Sequence, residues 1–205
     1  MLDVLRTWVF PAACAGCDKP GPALCEACAP APADALRFSL DGVPAFALGS
    51  YAGPLREAIV AMKHGERDPI TAFAALLDAA PVEGVLVPLP TTRARAAQRG
   101  FDQSVAIVRR IAARRRLPWA DLLEKRGAPQ AGRRREARLR PEQRFRIKRG
   151  IALPARVTVF DDVCTTGGTL TDALLALRQA GVEISRIVVL ARKLAAEPRA
   201  VRAGR

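Results

Sequence analysis

The chain lacks several features that would assign it to a functional class at once. None of its apolar runs reaches the ~20 residues of a transmembrane helix, so its 205 residues predict no membrane span. Its one histidine, His64, stands beside Lys63, and we expect it on the surface instead of in a catalytic site. Aromatic residues make up 5% of the chain, which is few for a surface on which nucleic-acid bases stack.

The positive charge of the chain is concentrated in its middle. The net charge is +13, and residues 93–149 hold 19 Lys+Arg against 5 Asp+Glu, so that the remainder is close to neutral. This basic segment predicts contact with an anion, and binding of a polyanion there should weaken steeply with salt. Its only aromatic residues are Phe101, Trp119 and Phe145.

Four cysteines near the start form two C-x2-C pairs seven residues apart: Cys14, Cys17, Cys25 and Cys28. Each pair can place two thiolates on one metal, and two pairs complete a tetrahedral four-thiolate zinc site. Disulfide pairing is the alternative, and it requires an oxidising compartment that the sequence does not indicate. We therefore expect a structural Zn²⁺ with no coordination position open to water, in a cytoplasmic protein.

The chain is expected to divide into two units. Residues 1–33 form a zinc-ribbon-like module, preceded by an amphipathic helix around Trp8. A secretory signal is the alternative for that stretch, but Pro11 interrupts its short apolar part. Residues 45–195 form the main predicted domain, and residues 196–205 a disordered tail.

From Ala45 onwards, short apolar runs alternate with helical periodicity. This alternation predicts an α/β fold with a parallel sheet and right-handed crossovers, in which ligands bind beyond the carboxyl ends of the strands. Two loops qualify, one after Val87 and one after Phe160. The predicted strands are Ala45–Tyr51, Val85–Leu89, Arg156–Phe160 and Ile184–Ala191, and the predicted helices are Pro54–Met62, Ile70–Ala80, Gln103–Arg115 and Leu170–Ala180.

The loop after Phe160 has the composition of a sugar-phosphate site. Asp161 and Asp162 leave the strand where carboxylates can accept hydrogen bonds from sugar hydroxyls or from water on a cation. Beyond them, backbone N–H groups, glycines, threonine hydroxyls and the positive end of a helix can hold a phosphate. Cys164 lies among them as a filler, not a nucleophile. The phosphate-binding candidates are Thr165, Thr166, Gly167, Gly168 and Thr169.

This segment resembles the 5-phosphoribosyl-1-pyrophosphate (PRPP) motif of type I phosphoribosyltransferases. That motif is an apolar strand, Asp-Asp, two variable residues, Thr-Thr-Gly, a small residue and Thr. The resemblance implies that Asp161 and Asp162 lie by the ribose hydroxyls and orient PRPP for catalysis. It further implies that the threonine and glycine loop surrounds the 5-phosphate, and that Mg²⁺ accompanies PRPP. An ordinary strand-turn-helix with a polar turn is the alternative.

The loop after Val87 carries three arginines, Arg93, Arg95 and Arg99. Arginine forks bind phosphate oxygens through two parallel hydrogen bonds, so this loop could receive a pyrophosphate. The alternative is that Arg99-Gly-Phe only leads into a helix, with Phe101 in the core.

A Pro-Leu-Pro strand exit followed by Arg95-x-x-x-Arg99-Gly-Phe-Asp-Gln-Ser resembles the competence protein F family (ComF, also called GntX-like). That family joins a four-cysteine module to a phosphoribosyltransferase-like domain. The resemblance implies that Arg95, Arg99 and Lys63 face the pyrophosphate. Asp102 departs from the family, since Asn is usual there.

The resemblance also implies a flexible basic hood over the site, at about residues 124–150. Gln130 and Arg138 fit the family pattern, but Arg133 stands in place of a leucine and Pro141 in place of an asparagine. These substitutions put closure of the hood in doubt.

Three functions remain open from the sequence. The first is transfer of a phosphoribosyl group from PRPP to an unidentified acceptor, in nucleotide salvage or in DNA uptake during natural competence. The second is PRPP or nucleotide binding without catalysis. The third is contact with single-stranded DNA and with other proteins of the competence machinery, which the ComF resemblance implies.

Overall fold

The computed structural model describes residues 13–125 and 144–194. The predicted helix around Trp8, the predicted tail and the substituted positions Arg133 and Pro141 lie outside these residues. The strands are β1 (Leu36–Leu40), β2 (Val43–Ser50), β3 (Val85–Pro88), β4 (Leu123–Lys125), β5 (Phe145–Ile147), β6 (Arg156–Cys164) and β7 (Glu183–Arg192). The α-helices are α1 (Gly53–Lys63), α2 (Asp68–Leu76), α3 (Arg93–Arg99), α4 (Gln103–Arg115) and α5 (Gly168–Gln179).

Five strands form one sheet in the order β1-β2-β7-β6-β3. The β2–β7, β7–β6 and β6–β3 pairs are parallel, and only β1 runs antiparallel to its neighbour. The predicted α/β class with a mostly parallel sheet is confirmed. Because β3 and β6 are adjacent and parallel, with Pro88 opposite Phe160, the two predicted ligand loops leave the same edge of the sheet side by side.

Helices cover both faces of the sheet. Successive residues of a strand point to opposite faces, and in β6 Phe160 packs in the cluster that contains α1, α2 and α4. Val157 and Val159 pack in the other cluster, with α5 and the β4–β5 hairpin. Burial on both faces explains the near-continuous apolar character of β6 and β7.

The four-cysteine module packs on the larger unit. Cys14, Leu24 and Cys28 are buried in the same cluster as Leu55 of α1. The division into two domains stays a prediction. Among the described residues, no helix combines the length and the apolar character that crossing a bilayer requires.

Several predicted boundaries were wrong. The motif strand was expected to end at Phe160, but β6 continues to Cys164 because β7 is long enough to pair with it, up to Cys164 opposite Arg192. The loop after β3 contains a helix, α3, which was expected to be irregular.

Strand β1 was missed altogether. Its signal was an Asp41-Gly42 turn after the alternating run Leu36–Leu40, and both turn residues have positive φ, 50° and 79°. This is a turn suited to a two-residue β-hairpin. The hairpin adds the antiparallel edge strand to the sheet.

Candidate functional site

The two aspartates lie within the C-terminal half of strand β6, not in the loop after it. The side chain of Asp161 accepts a hydrogen bond from the backbone N–H of Asp162 (2.9 Å), and that of Asp162 accepts one from Val163 (2.7 Å). Burial and the neighbouring carboxylate of Asp162 raise the pKa of Asp161 well above its usual value. Two adjacent carboxylates therefore lie close together near the end of β6. Their proximity favours binding of a cation or of a ligand rich in hydroxyl groups.

Lys63, at the end of α1, contacts this acidic pair. Its Nζ lies 2.9 Å from Oδ2 of Asp162, and both side chains are largely buried, with 27% and 19% of their surface exposed. The sequence assigned Lys63 to the pyrophosphate side. In this structure its partner is Asp162, and Lys63 lines the same hollow as Arg95 and Arg99.

The threonine and glycine loop connects β6 to α5. Gly167 has φ 84° and begins the helix as its N-cap, a backbone conformation that other residues rarely adopt. A Cβ at this position would come within 2.7 Å of a methyl carbon of Leu40. Because glycine has no capping side chain, the N–H groups of the first turn of α5 remain available for an anion.

The loop after β3 presents its arginines from α3. Thr92 caps this helix by accepting a hydrogen bond from the backbone N–H of Arg95 (3.4 Å). Arg99 is the last residue of α3, and its Nη1 donates to the side-chain oxygen of Gln103 at 3.0 Å. The helix thus places Arg95 and Arg99 one turn apart.

The junction between α3 and α4 is fixed by side chains on both sides. Asp102 accepts hydrogen bonds from the N–H groups of Val105 (3.3 Å) and Thr91 (2.7 Å), so it caps α4 and holds the loop after β3. Burial raises the pKa of Asp102, although these N–H groups oppose the rise. Arg67 stacks on the ring of Phe101, 5.0 Å from its centre.

Two hollows lie at this edge of the sheet. The larger, about 650 Å³ with the open solvent at its mouth included, brings together Lys63, Arg95, Arg99, Asp161 and Asp162. The smaller, about 170 Å³, is formed by the threonine and glycine loop. Asp161, Val163 and Thr169 line both hollows, so the two are contiguous.

Not every predicted phosphate ligand faces these hollows. Thr165, Gly167 and Thr169 line them. Thr166 and Gly168 are exposed and line neither. The predicted residues are nonetheless brought to one edge of the sheet by β3, β6 and the helices that follow them.

The residues of the larger hollow that had no assigned role in the sequence analysis include Gln103, Ser104 and Lys125. Gln103 and Ser104 are almost fully buried, with 3% and 6% exposed, and their place in the run Arg99-Gly-Phe-Asp-Gln-Ser was the available sequence signal. Burial lowers the pKa of Lys125, and the nearby Asp161 opposes this. No sequence signal marked Lys125, because it reaches the site through the β4–β5 hairpin.

Ion pairs attach that hairpin to both ligand loops. Glu124 of β4 contacts Arg93 of α3 (2.8 Å) and Arg146 of β5 (2.7 Å). Arg144, just before β5, contacts Asp172 of α5 (3.1 Å). The residues at both ends of the predicted hood are thus tied to the helices that follow β3 and β6. The rest of the predicted hood, residues 126–143, lies outside the described residues.

The four N-terminal cysteines form a cluster suited to a metal. Their sulfur atoms all lie within 4.8 Å of one another, and a tetrahedral Zn²⁺ with ~2.3 Å bonds requires sulfur separations of about 3.8 Å. Burial raises the pKa of Cys14, but hydrogen bonds from the backbone N–H groups of Cys25 and Gly16 and from the side chains of Cys25 and Cys17 together lower it to about 6. The donor set fits a four-thiolate structural site, as predicted. Cys164 is buried elsewhere.

Solved structures similar to the chain include phosphoribosyltransferases. Orotate phosphoribosyltransferase from Aeropyrum pernix has a TM-score of 0.40 and 17% identity, over 78% of this chain and 76% of that chain. Adenine phosphoribosyltransferase from Leishmania tarentolae has a TM-score of 0.38 and 16% identity, over 66% of this chain and 74% of that chain.

The sequence itself is similar to a curated protein. No family model matches the chain. It is 34% identical over 98 residues to the competence protein ComFC of Streptococcus pneumoniae, and the match covers 47% of this chain and 43% of ComFC. The matched region is thus less than half the length of that relative. The similarity to ComFC confirms the resemblance to the ComF family that the motifs predicted.

Proposed function

We propose that this protein binds PRPP together with Mg²⁺ and transfers its phosphoribosyl group to an acceptor. One observation carries the proposal: the loops after β3 and β6, one with arginines and one with threonines and glycines, open on contiguous hollows with an acidic pair between them. A ligand with a phosphate at one end, a pyrophosphate at the other and hydroxyls between them matches this order of groups.

In this proposal each hollow takes one end of PRPP. The 5-phosphate binds the threonine and glycine loop at the N-terminus of α5. The ribose hydroxyls lie against Asp161 and Asp162, whose oxygens accept hydrogen bonds. The pyrophosphate faces Arg95 and Arg99, with Lys63 between the two sides.

The chemistry is a displacement at C1 of the ribose. A lone pair of the acceptor forms the new bond to C1 while the bond from C1 to the pyrophosphate oxygen breaks, and pyrophosphate departs with that electron pair. The proton that the acceptor loses passes to solvent. The side chains position the reactants and stabilise the charge that develops on the leaving group.

The acidic pair also has the oxygen donors that Mg²⁺ prefers. Bound with PRPP, the ion would neutralise charge on the pyrophosphate oxygens. Asp161 lines both hollows and Asp162 lines the larger one, so either carboxylate can contact an ion bound there.

Calorimetry with PRPP and Mg²⁺ tests the binding. We expect the Asp162→Asn variant to bind PRPP about tenfold more weakly, because a charged hydrogen-bond acceptor for the ribose and the ion is lost. Asp78→Asn is the matched control, since Asp78 pairs with Arg114 on the surface and does not line the hollows. Equal affinity of all three proteins would contradict the proposed site.

Release of pyrophosphate tests the transfer. The protein is incubated with PRPP, Mg²⁺ and a panel of nucleobases and amines, and pyrophosphate is measured. Release that Asp162→Asn abolishes supports an enzyme. Tight binding of PRPP with no release for any acceptor favours the alternative, a PRPP-binding protein without catalysis.

A further inference from the structure

We propose that Gln103 is a positioning residue that holds the Arg99 guanidinium towards the pyrophosphate side of the site. The inference rests on the proposed function and adds a residue to it. Gln103 is the first residue of α4 and Arg99 the last residue of α3, and both line the larger hollow.

The local backbone brings these two side chains together. Gly100 has φ 75° and ends α3, which turns the chain sharply between the two helices. Asp102 caps α4 and binds the N–H of Thr91. The start of α4, where Gln103 lies, is therefore fixed relative to the loop after β3. The hydrogen bond from Arg99 to Gln103 (3.0 Å) restrains the long, flexible arginine side chain against this fixed position.

The hydrogen-bond chemistry determines which end of the amide faces Arg99. A guanidinium can only donate, so the atom that it contacts must be the amide oxygen. The amide nitrogen then points elsewhere, and among the described residues Nε2 has no hydrogen-bond partner although it is buried. A buried donor without a partner lowers the stability of a folded protein.

A glutamine has a specific advantage at this position over the alternatives. A glutamate would accept the same hydrogen bond, but its charge would cancel the charge that Arg99 offers to an anion. A methionine would fill the same volume and remove the unpartnered donor, but it would release the guanidinium. Gln103 holds Arg99 and leaves its positive charge intact, at the expense of an unpaired amide NH₂ group.

The test measures binding of two probes, inorganic pyrophosphate with Mg²⁺ and PRPP with Mg²⁺, by calorimetry. We expect Gln103→Met to bind both about tenfold more weakly than the wild type. Its melting temperature without ligand should be equal or higher, because the unpaired donor is gone. A residue with only a structural role would show the opposite pattern, a lower melting temperature with affinity unchanged.

A double-mutant cycle shows whether Gln103 acts through Arg99. In an Arg99→Met background, Gln103→Met should have no further effect on affinity. In the matched Arg95→Met background it should keep its full effect, because within the described part of the chain the hydrogen bond to Gln103 comes from Arg99 and not from Arg95. Additive effects in both backgrounds would overturn the inference.

A second variant covers the case in which Gln103→Met does not fold. Gln103→Asn keeps a buried polar amide but is one methylene too short to reach Arg99, so it should fold and bind both probes more weakly than the wild type. Wild-type affinity in Gln103→Asn overturns the inference and leaves the proposed function intact. A wild-type protein that binds neither probe overturns both, and the two failures are thereby distinguished.

Discussion

At the scale of single residues, Gly167 is the position where the backbone of the phosphate loop depends most on residue type. Its φ of 84° places it in the left-handed region, and Leu40 occupies the space where a Cβ would lie. The motif predicted glycine here from the need for an anion to approach. The structure adds a second reason, which is contact with β1.

Replacement of Gly167 by alanine should therefore impair both stability and binding. We expect a loss of about 1–2 kcal/mol from the backbone conformation, some further loss because Leu40 must move, and weaker binding of PRPP. Gly181→Ala is the control, since Gly181 has φ 78° with open space around it. It should show the backbone effect alone, measured by urea denaturation, with PRPP affinity unchanged.

The raised pKa of Asp161 predicts how the stability of the empty protein depends on pH. Between the unfolded pKa of ~3.9 and its raised folded value, the folded state binds more protons than the unfolded state. The free energy of unfolding should therefore fall as pH rises through that window.

Asp161→Asn should lack this fall and be more stable than the wild type at neutral pH, as measured by urea denaturation between pH 4 and pH 8. Asp78 provides the opposite case, because its hydrogen bond to Arg114 lowers its pKa. Asp78→Asn should remove a stabilisation that grows as pH rises through the acid range. An unchanged pH profile in Asp161→Asn would contradict the assignment of burial as the cause.

At the scale of elements, the β4–β5 hairpin is the part of the site that the sequence did not predict. Its strands have three residues each, too few for periodicity to indicate a strand. They are held by packing of Leu123 and Phe145 against the sheet and by the ion pairs of Glu124. The hairpin brings Lys125 to the hollow, so a contact distant in sequence completes the site.

Glu124→Gln should loosen the hairpin without unfolding the protein. We expect faster hydrogen exchange at the amides of β4 and β5, because ion pairs to Arg93 and Arg146 are lost. The effect on global stability should be below about 1 kcal/mol, since both arginines are largely exposed. Glu183→Gln is the control, because it breaks an ion pair with Arg156 at the other end of β6 and should leave exchange in the hairpin unchanged.

At the scale of the whole molecule, the four-cysteine module shares a core with α1. Cys14 and Cys28 are buried with Leu55, and Gly16 lies so close to Pro54 that a Cβ on it would come within 3.0 Å. Loss of the metal should therefore destabilise the larger unit as well as the module itself.

We predict one Zn²⁺ for each chain, measured by elemental analysis. Cys17→Ser should abolish it and lower the melting temperature by several degrees, because a few apolar residues cannot hold the module without the metal. Cys164→Ala removes the fifth cysteine, which lies outside the cluster, and should retain the metal. Full zinc content in Cys17→Ser would contradict a four-thiolate site.

The predicted contact with single-stranded DNA depends on the charge of the whole basic segment, residues 93–149. Part of its charge is used within the protein, since Arg114 pairs with Asp78 and Arg115 donates to the carbonyl of Ala80. Arg133, Arg134 and Arg135 lie outside the described residues. DNA contact stays a prediction, and affinity that survives removal of these three charges would contradict it.

Much of this protein is determined by local sequence. The apolar runs of β6 and β7, the helical periodicity of α1 and α4, the glycines of the phosphate loop and the paired cysteines each specify their structure through nearby residues. The order of elements then restricts the sheet to a parallel arrangement with its ligand loops at one edge.

Only the tertiary structure determined the features that depend on contacts between residues far apart in the sequence. The length of β6 follows from its pairing with β7, Lys63 meets Asp162 across the site, and Lys125 arrives on a hairpin too short to predict. The acidic pair of the phosphate motif could be identified from sequence, but its charge state could not. Burial and the distances between charges set the pKa of Asp161, and both exist only once the chain is folded.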